Sequence, residues 1–303
     1  MTAEKQHKHT KAWFHLPGLF EFHELYQRFL ALYVNHPEYF HDWCGIGSIY
    51  GAPAGCIWGG GRAGYGEDDP VEVKAMMDQY QIPVHLTFSN SLLSEEHLKD
   101  AEANHLCALF EKEGNGVIIT SELLLEYIQE HYPSYCFISS TTKVLTDFHD
   151  LQKELQRKEF RYVCPDFRLN HDFGDLAKLS QEEKDKAEFL VNECCWYACP
   201  DRKGCYEAVS RLILGEEDDD HVCCSPYAKE GYTFSRAKQN PGFISMEEIR
   251  DVYLPMGFSN FKIEGRSLGS ALVLEFLLYY MVKPEYQINV RESIYLSNEL
   301  DLF

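Results

Sequence analysis

Six of the eleven cysteines in this 303-residue chain fall within one stretch: Cys194, Cys195, Cys199, Cys205, Cys223 and Cys224. The last two close the acidic run Glu216-Glu217-Asp218-Asp219-Asp220-His221, which reads as solvated loop. A solitary cysteine usually serves as a small buried hydrophobe, and Cys107, Cys136 and Cys164, each in an apolar stretch, fit that role. Thiols gathered as closely as the six need disulfides or a metal to explain them. The cysteine count is odd, and residues 1–9 are polar with no apolar signal core, so the expectation is a cytoplasmic protein with reduced thiols. That favours a metal. Cys195 and Cys199, four apart, project the same way from one helical turn or a tight loop. Cys205 follows after five intervening residues, and the aperiodic segment 215–242 can fold Cys223 or Cys224 back over the same place. Three or four convergent thiolates suit zinc or an iron–sulfur cluster. Zinc prefers paired Cys-x-x-Cys knuckles, which this sequence lacks, so the uneven spacing fits a cluster better. Arg202 and Lys203 lie between the thiols, where positive charge would favour thiolates.

Other catalytic signatures are missing from the sequence. It contains no nucleophile elbow, no His-Glu-x-x-His and no Walker loop, and its thirteen histidines look scattered. The formal net charge of −20 repels polyanions and argues against bulk nucleic acid as a partner. Arg157, Lys158 and Arg161 form a small basic run that reads as a solvated helix end. No apolar run is long enough to span a bilayer. The best candidate, 268–282, contains Ser270 and Glu275 and reads as a buried helix, so no membrane association is expected.

The elements that must position these residues alternate in type. Apolar strand-like runs at 45–51, 55–58, 83–88, 116–120, 135–139, 161–165, 188–192 and 258–263 alternate with helical patterns at 70–81, 95–112, 121–131, 146–158, 180–187, 245–256 and 267–282. Alternation at this spacing predicts parallel βα units and a TIM-like (β/α)8 barrel formed by residues 1–303 as one domain. Residues 1–12 are expected to be flexible and 215–242 to be a long loop insertion. A doubly wound sheet is the weaker alternative, because Gly59-Gly60-Gly61-Arg62-Ala63-Gly64 lacks the phosphate-loop spacing. In a barrel, residues just after the strands face the chemistry. Those residues are Tyr50, Arg62, Ser89, Asn90, Asp166, Arg168, Asn192, Glu193 with the cysteines, Glu264 and Arg266.

Four segments carry a resemblance. They are Gly47-Ser48-Ile49-Tyr50-Gly51 with Gly60-Gly61-Arg62-Ala63, then Leu86-Thr87-Phe88-Ser89-Asn90, then Val191-Asn192-Glu193-x-Cys195-x-x-x-Cys199-Pro200-x-Arg202, and Phe261-Lys262-Ile263-Glu264-Gly265-Arg266. Together they resemble the collagenase-like "unknown-mechanism" peptidase family, whose relatives include the UbiU and UbiV proteins of oxygen-independent ubiquinone synthesis. The resemblance implies a TIM-like barrel and, as in several relatives, a 4Fe–4S cluster on four cysteines. It carries Cys195 and Cys199 over by motif. Cys224 matches a later cysteine of single-barrel relatives, and Cys205 stands where many of them have histidine.

The expected enzyme is an iron–sulfur barrel, with zinc as the alternative metal, on Cys195, Cys199, Cys205 and Cys224. It would act on a small molecule or a partner-held group, in chemistry of the oxygen-independent hydroxylation type rather than as a peptidase. Arg62, Arg202 and Arg266 suit a substrate carboxylate by bidentate pairing. Glu193, Glu264 or Asp166 suit proton transfer. Tyr50, Arg62, Asn90 and Asn192 are the expected substrate-binding residues. An accessory subunit that docks a protein partner through the apolar C-terminal stretch 294–303 is the competing reading.

Overall fold

Eight short strands, all parallel, form one sheet in a computed structural model that describes residues 11–61, 66–216, 221–265 and 267–296. They are β1 (Ala12–Pro17), β2 (Cys44–Gly51), β3 (Val84–Phe88), β4 (Gly116–Ile119), β5 (Cys136–Ser139), β6 (Phe160–Val163), β7 (Glu188–Leu190) and β8 (Asn260–Lys262). The hydrogen-bonded order is β6-β5-β4-β3-β2-β1-β8-β7. A single parallel bridge, Val163 to Ala187, brings β6 beside β7 and nearly closes a TIM-like barrel. The seam between those two strands is the weakest part of the wall.

The main helices are α1 (His23–Asn35), α2 (Pro70–Tyr80), α3 (Ala101–Phe110), α4 (Glu122–His131), α5 (Phe148–Gln156), α6 (Gln181–Lys186), α7 (Arg202–Ile213) and α8 (Ser270–Met281). Local chemistry sets where several of them start. The side chains of Asp69, Asp100, Ser121 and Asp147 accept hydrogen bonds from the first-turn N–H groups of α2 to α5. Ser180 and Glu183 form the capping box that the sequence suggests for α6. Helix α8 is apolar nearly all round. It buries Val273, Leu274, Phe276, Leu277, Leu278, Tyr280 and Met281, and Tyr280 lies 5.7 Å from the Phe14 ring of β1. Among the described residues, no helix is long and apolar enough to cross a membrane.

The expected barrel is correct, but its first unit lies elsewhere. Residues 55–58 form a turn rather than a strand, with Gly55 at φ 80° and a Gly59 N–H to Cys56 carbonyl hydrogen bond of 2.8 Å. The missing strand is β1, which begins at Ala12, a buried residue expected to belong to the flexible N-terminal stretch. Helices α1 and α7 were not expected from the sequence either. Cys195 and Cys199 lie in irregular backbone, and α7 starts only at Arg202. Within 215–242 a single helical turn, Phe234–Ala237, interrupts the described loop.

The barrel wall explains its own glycines. Phe14 and Leu16 face the helices, whereas Trp13 and His15 face the axis and cross over β2. A Cβ on Gly45 would lie 2.6 Å from the Trp13 ring, and one on Gly47 would lie 2.8 Å from His15 Cε1. Glycine at these two positions makes room for the large rings of the neighbouring strand.

Candidate active site

Helix α7 leaves the cysteine loop and drops Arg202 over the C-terminal mouth of the barrel, where the guanidinium is 1% exposed. It donates to Asp166 Oδ2 at 2.6 Å, to Glu193 Oε2 and to the Tyr206 hydroxyl at 3.0 Å. Asp166 also receives Arg168, through Nε at 2.6 Å and through a second guanidinium nitrogen at 3.0 Å. Burial opposes the charge on Arg202, yet Tyr206, Glu193 and Asp166 outweigh it and hold its pKa well above the ordinary value. Burial likewise pushes Asp166 upward, but the Arg168 hydrogen bond and the Arg202 charge leave its pKa lowered. Two arginines and two carboxylates thus form one buried network that ties α7 to the ends of β6 and β7.

The other expected site residues have structural partners as well. Asn192 donates to the Glu264 carbonyl at 3.0 Å and accepts from the Glu264 N–H at 2.7 Å, joining the ends of β7 and β8. Asn90 donates to the carbonyls of Ile57 and Ser210 and accepts from the Leu92 N–H. The Tyr50 hydroxyl donates to the Ile263 carbonyl at 2.7 Å. Tyr50, Thr87, Ser140, Tyr206, Lys262 and Glu264 are among the residues around a mouth cavity of about 30 Å³. Arg62 and Arg266 lie outside the described residues.

The thiols come together in pairs, and all eleven cysteines are free of disulfides. Cys199 Sγ and Cys224 Sγ are 3.7 Å apart across 25 residues of chain. The Cys199 thiol pushes the pKa of Cys224 upward, as a shared hydrogen bond between two sulfurs would. Cys205 Sγ lies 3.1 Å from His221 Nε2, so the histidine at the end of the acidic run reaches the cluster. The Cys195 N–H donates to Glu193 Oε1 at 2.9 Å, and its sulfur is close enough to Arg202 to act on the guanidinium charge. The Cys199–Cys224 pair has the spacing of two ligands on one thiophilic ion, and among the described residues no third cysteine, histidine or carboxylate atom comes within 4.8 Å of both sulfurs. Two thiolates on one tetrahedral zinc, each about 2.3 Å away, sit roughly 3.8 Å apart. Cluster thiolates bind separate irons, so a cluster on all four would need Cys199 and Cys224 to spread.

A second polar group, on the barrel axis, was not apparent from the sequence. His15 Nδ1 and His85 Nδ1 lie 2.8 and 3.0 Å from the Ser48 hydroxyl. Glu188 Oε1 is 3.5 Å from His15 Nδ1, and Lys262 Nζ is 3.4 Å from Glu188 Oε2 and 4.0 Å from the centre of the Tyr50 ring. Burial lowers the pKa of both histidines. The available signal was period two: His15 and His85 interrupt apolar strands, while Glu188 opens β7 and Lys262 ends β8, each out of phase with the residues that face the helices.

The sequence matches no family profile and no curated protein. Among solved structures, the fold is similar to that of the U32 peptidase Mk0906, with a TM-score of 0.50 and 13% identity, covering 88% of this chain and 96% of that one. At that identity the likeness is one of fold. The neighbour belongs to the peptidase class whose motifs this chain resembles, and its peptidase activity is not transferred.

Proposed function

We propose that this chain is a barrel enzyme with a thiolate-held metal centre above its C-terminal mouth, on Cys199 and Cys224 with Cys195 and Cys205 completing the set. The 3.7 Å approach of Cys199 and Cys224, made across 25 residues and without a disulfide, supports the reading most directly. As a 4Fe–4S cluster, the group would supply one-electron and Lewis-acid chemistry suited to oxygen-independent hydroxylation of a small or partner-held substrate. The chain's own residues then divide the remaining work. Arg202, Asp166 and Glu193 are positioning residues that hold α7, and with it Cys205, against the cysteine loop. Glu264, at the edge of the mouth cavity, is the carboxylate placed to move a proton. A cavity of about 30 Å³ admits roughly one water, so a substrate needs Tyr206 and the start of α7 to shift. Free thiols go with a reducing, cytoplasmic setting.

A single zinc ion is the second reading, favoured by the same separation because it matches two thiolates on one tetrahedral metal. The deciding experiment is anaerobic purification followed by iron, zinc and acid-labile sulfide analysis, on the wild type and on the Cys199→Ser/Cys224→Ser double variant. Iron with sulfide, lost in the variant, supports the cluster. Zinc lost in the variant supports the second reading. No metal, or a metal content that the double variant leaves unchanged, overturns both.

A further inference from the structure

The barrel axis carries polar atoms that the protein does not satisfy. TIM-barrel interiors are dominated by branched aliphatic side chains. Here His15, Ser48, His85, Glu188 and Lys262 share one layer, and each is at most 5% exposed. The Ser48 hydroxyl oxygen has two lone pairs and accepts from the Nδ1–H of both rings, which puts the lone pair of each ring on Nε2. That leaves His15 Nε2 and Glu188 Oε1 buried without a well-formed hydrogen bond, with the Asn260 side chain acting on His15. Buried orphaned groups at this depth call for a bound water or ion. Lys262 occupies the other oxygen of Glu188, which turns Oε1 toward the two rings.

We propose that His15, His85 and Glu188 form a site for a divalent cation of the zinc class on the barrel axis. One ligand atom from each of the three lies within 4.8 Å of the other two. Two imidazoles and a carboxylate are a donor set that such ions favour, and three protein ligands leave a fourth position for water. Burial keeps both rings in the neutral form that binds metal. Ser48 fixes the ring planes and Lys262 orients the carboxylate, the supporting roles that metal ligands require. Lys262 borders the mouth cavity, and the wider opening is at the N-terminal end. A cavity of about 660 Å³ opens there beside the β6–β7 seam, lined in part by Trp13, Cys136, Tyr162 and Asn260. The Tyr162 ring lies between that cavity and the cluster, with its centre 5.2 Å from that of His15. This site is independent of the thiolate centre at the opposite end of the barrel.

Cobalt(II) titration of chelator-stripped, reduced protein tests the proposal, because thiolate ligation gives a charge-transfer band that nitrogen and oxygen ligands do not. The Cys199→Ser/Cys224→Ser variant should still bind one equivalent of cobalt through nitrogen and oxygen ligands, and further removal of Cys195 and Cys205 should leave that binding without the band. Adding His85→Ala, or the isosteric Glu188→Gln, should weaken this binding more than about tenfold. The proposal is overturned if the double cysteine variant binds no cobalt outside thiolates, or if Glu188→Gln and His85→Ala bind as the parent does. Water alone would then satisfy the axis. The band itself reports the thiolate centre separately.

Discussion

The two ends of this barrel treat buried charge in opposite ways. At the C-terminal mouth, Arg202 and Arg168 meet Asp166 and Glu193 at short distances, and the space left over is about 30 Å³. On the axis toward the N-terminal end, a carboxylate, a lysine and two imidazoles sit with longer contacts and orphaned atoms, beside a cavity of about 660 Å³. The mouth network pairs its charges at short range and leaves Arg202 Nε as its unpartnered atom, so it chiefly fixes a conformation. A network whose orphaned atoms are ligand atoms is arranged for something that is not part of the chain. By that measure the mouth is the framework for the thiol loop, and the axis is the better candidate for binding a ligand directly.

The largest effect that would break this contrast is at Arg202. Arg202→Met leaves Asp166 and Glu193 buried beside one another, and we expect a loss of about 3–5 kcal/mol in urea unfolding. A loss under about 1 kcal/mol would mean that the mouth is not held by this network. Next comes acid. Unfolded imidazoles take up protons below their ordinary value of 6.5, while His15 and His85 resist because burial depresses their folded values. Their contribution is therefore complete above 6.5 and declines as pH falls from there toward the folded values. Each histidine adds up to about 1.4 kcal/mol per pH unit to that slope. Asp166, also lowered in the fold, keeps its contribution above its ordinary 3.8 and loses it only in stronger acid. Urea midpoints between pH 7 and 5 should thus report the histidines whose values burial lowers, His41 included, and not the mouth, and the part of the slope that His85→Asn removes belongs to the axis. The smallest effect expected is Gly47→Ala, whose methyl would press on the His15 ring and cost about 1–3 kcal/mol. An unchanged unfolding midpoint there would show that the ring is free to move.

Much of the wall was readable from the sequence because strand and helix periods are local. The caps Asp69, Asp100, Ser121, Asp147 and Ser180 sit next to the helices they start. The first strand was missed because Ala12–Pro17 adjoins the polar N-terminal stretch, while 55–58 has strand-like composition but turns at Gly55. At the site, the cysteine cluster and the strand-end residues were visible as types and spacings. Their roles were not. Arg202 was expected to hold a substrate carboxylate, and its carboxylates in the fold are Asp166 and Glu193.

By itself the sequence determined the alternation of elements, the barrel class and the gathering of thiols into one stretch of chain, because each depends on residues near one another in sequence. Only the tertiary structure decided which thiols meet, and that His15, His85, Glu188 and Lys262 share one layer. Those residues come from four strands and are brought together by barrel closure and register. A one-residue slip in any of those strands would turn its side chain out of the axis.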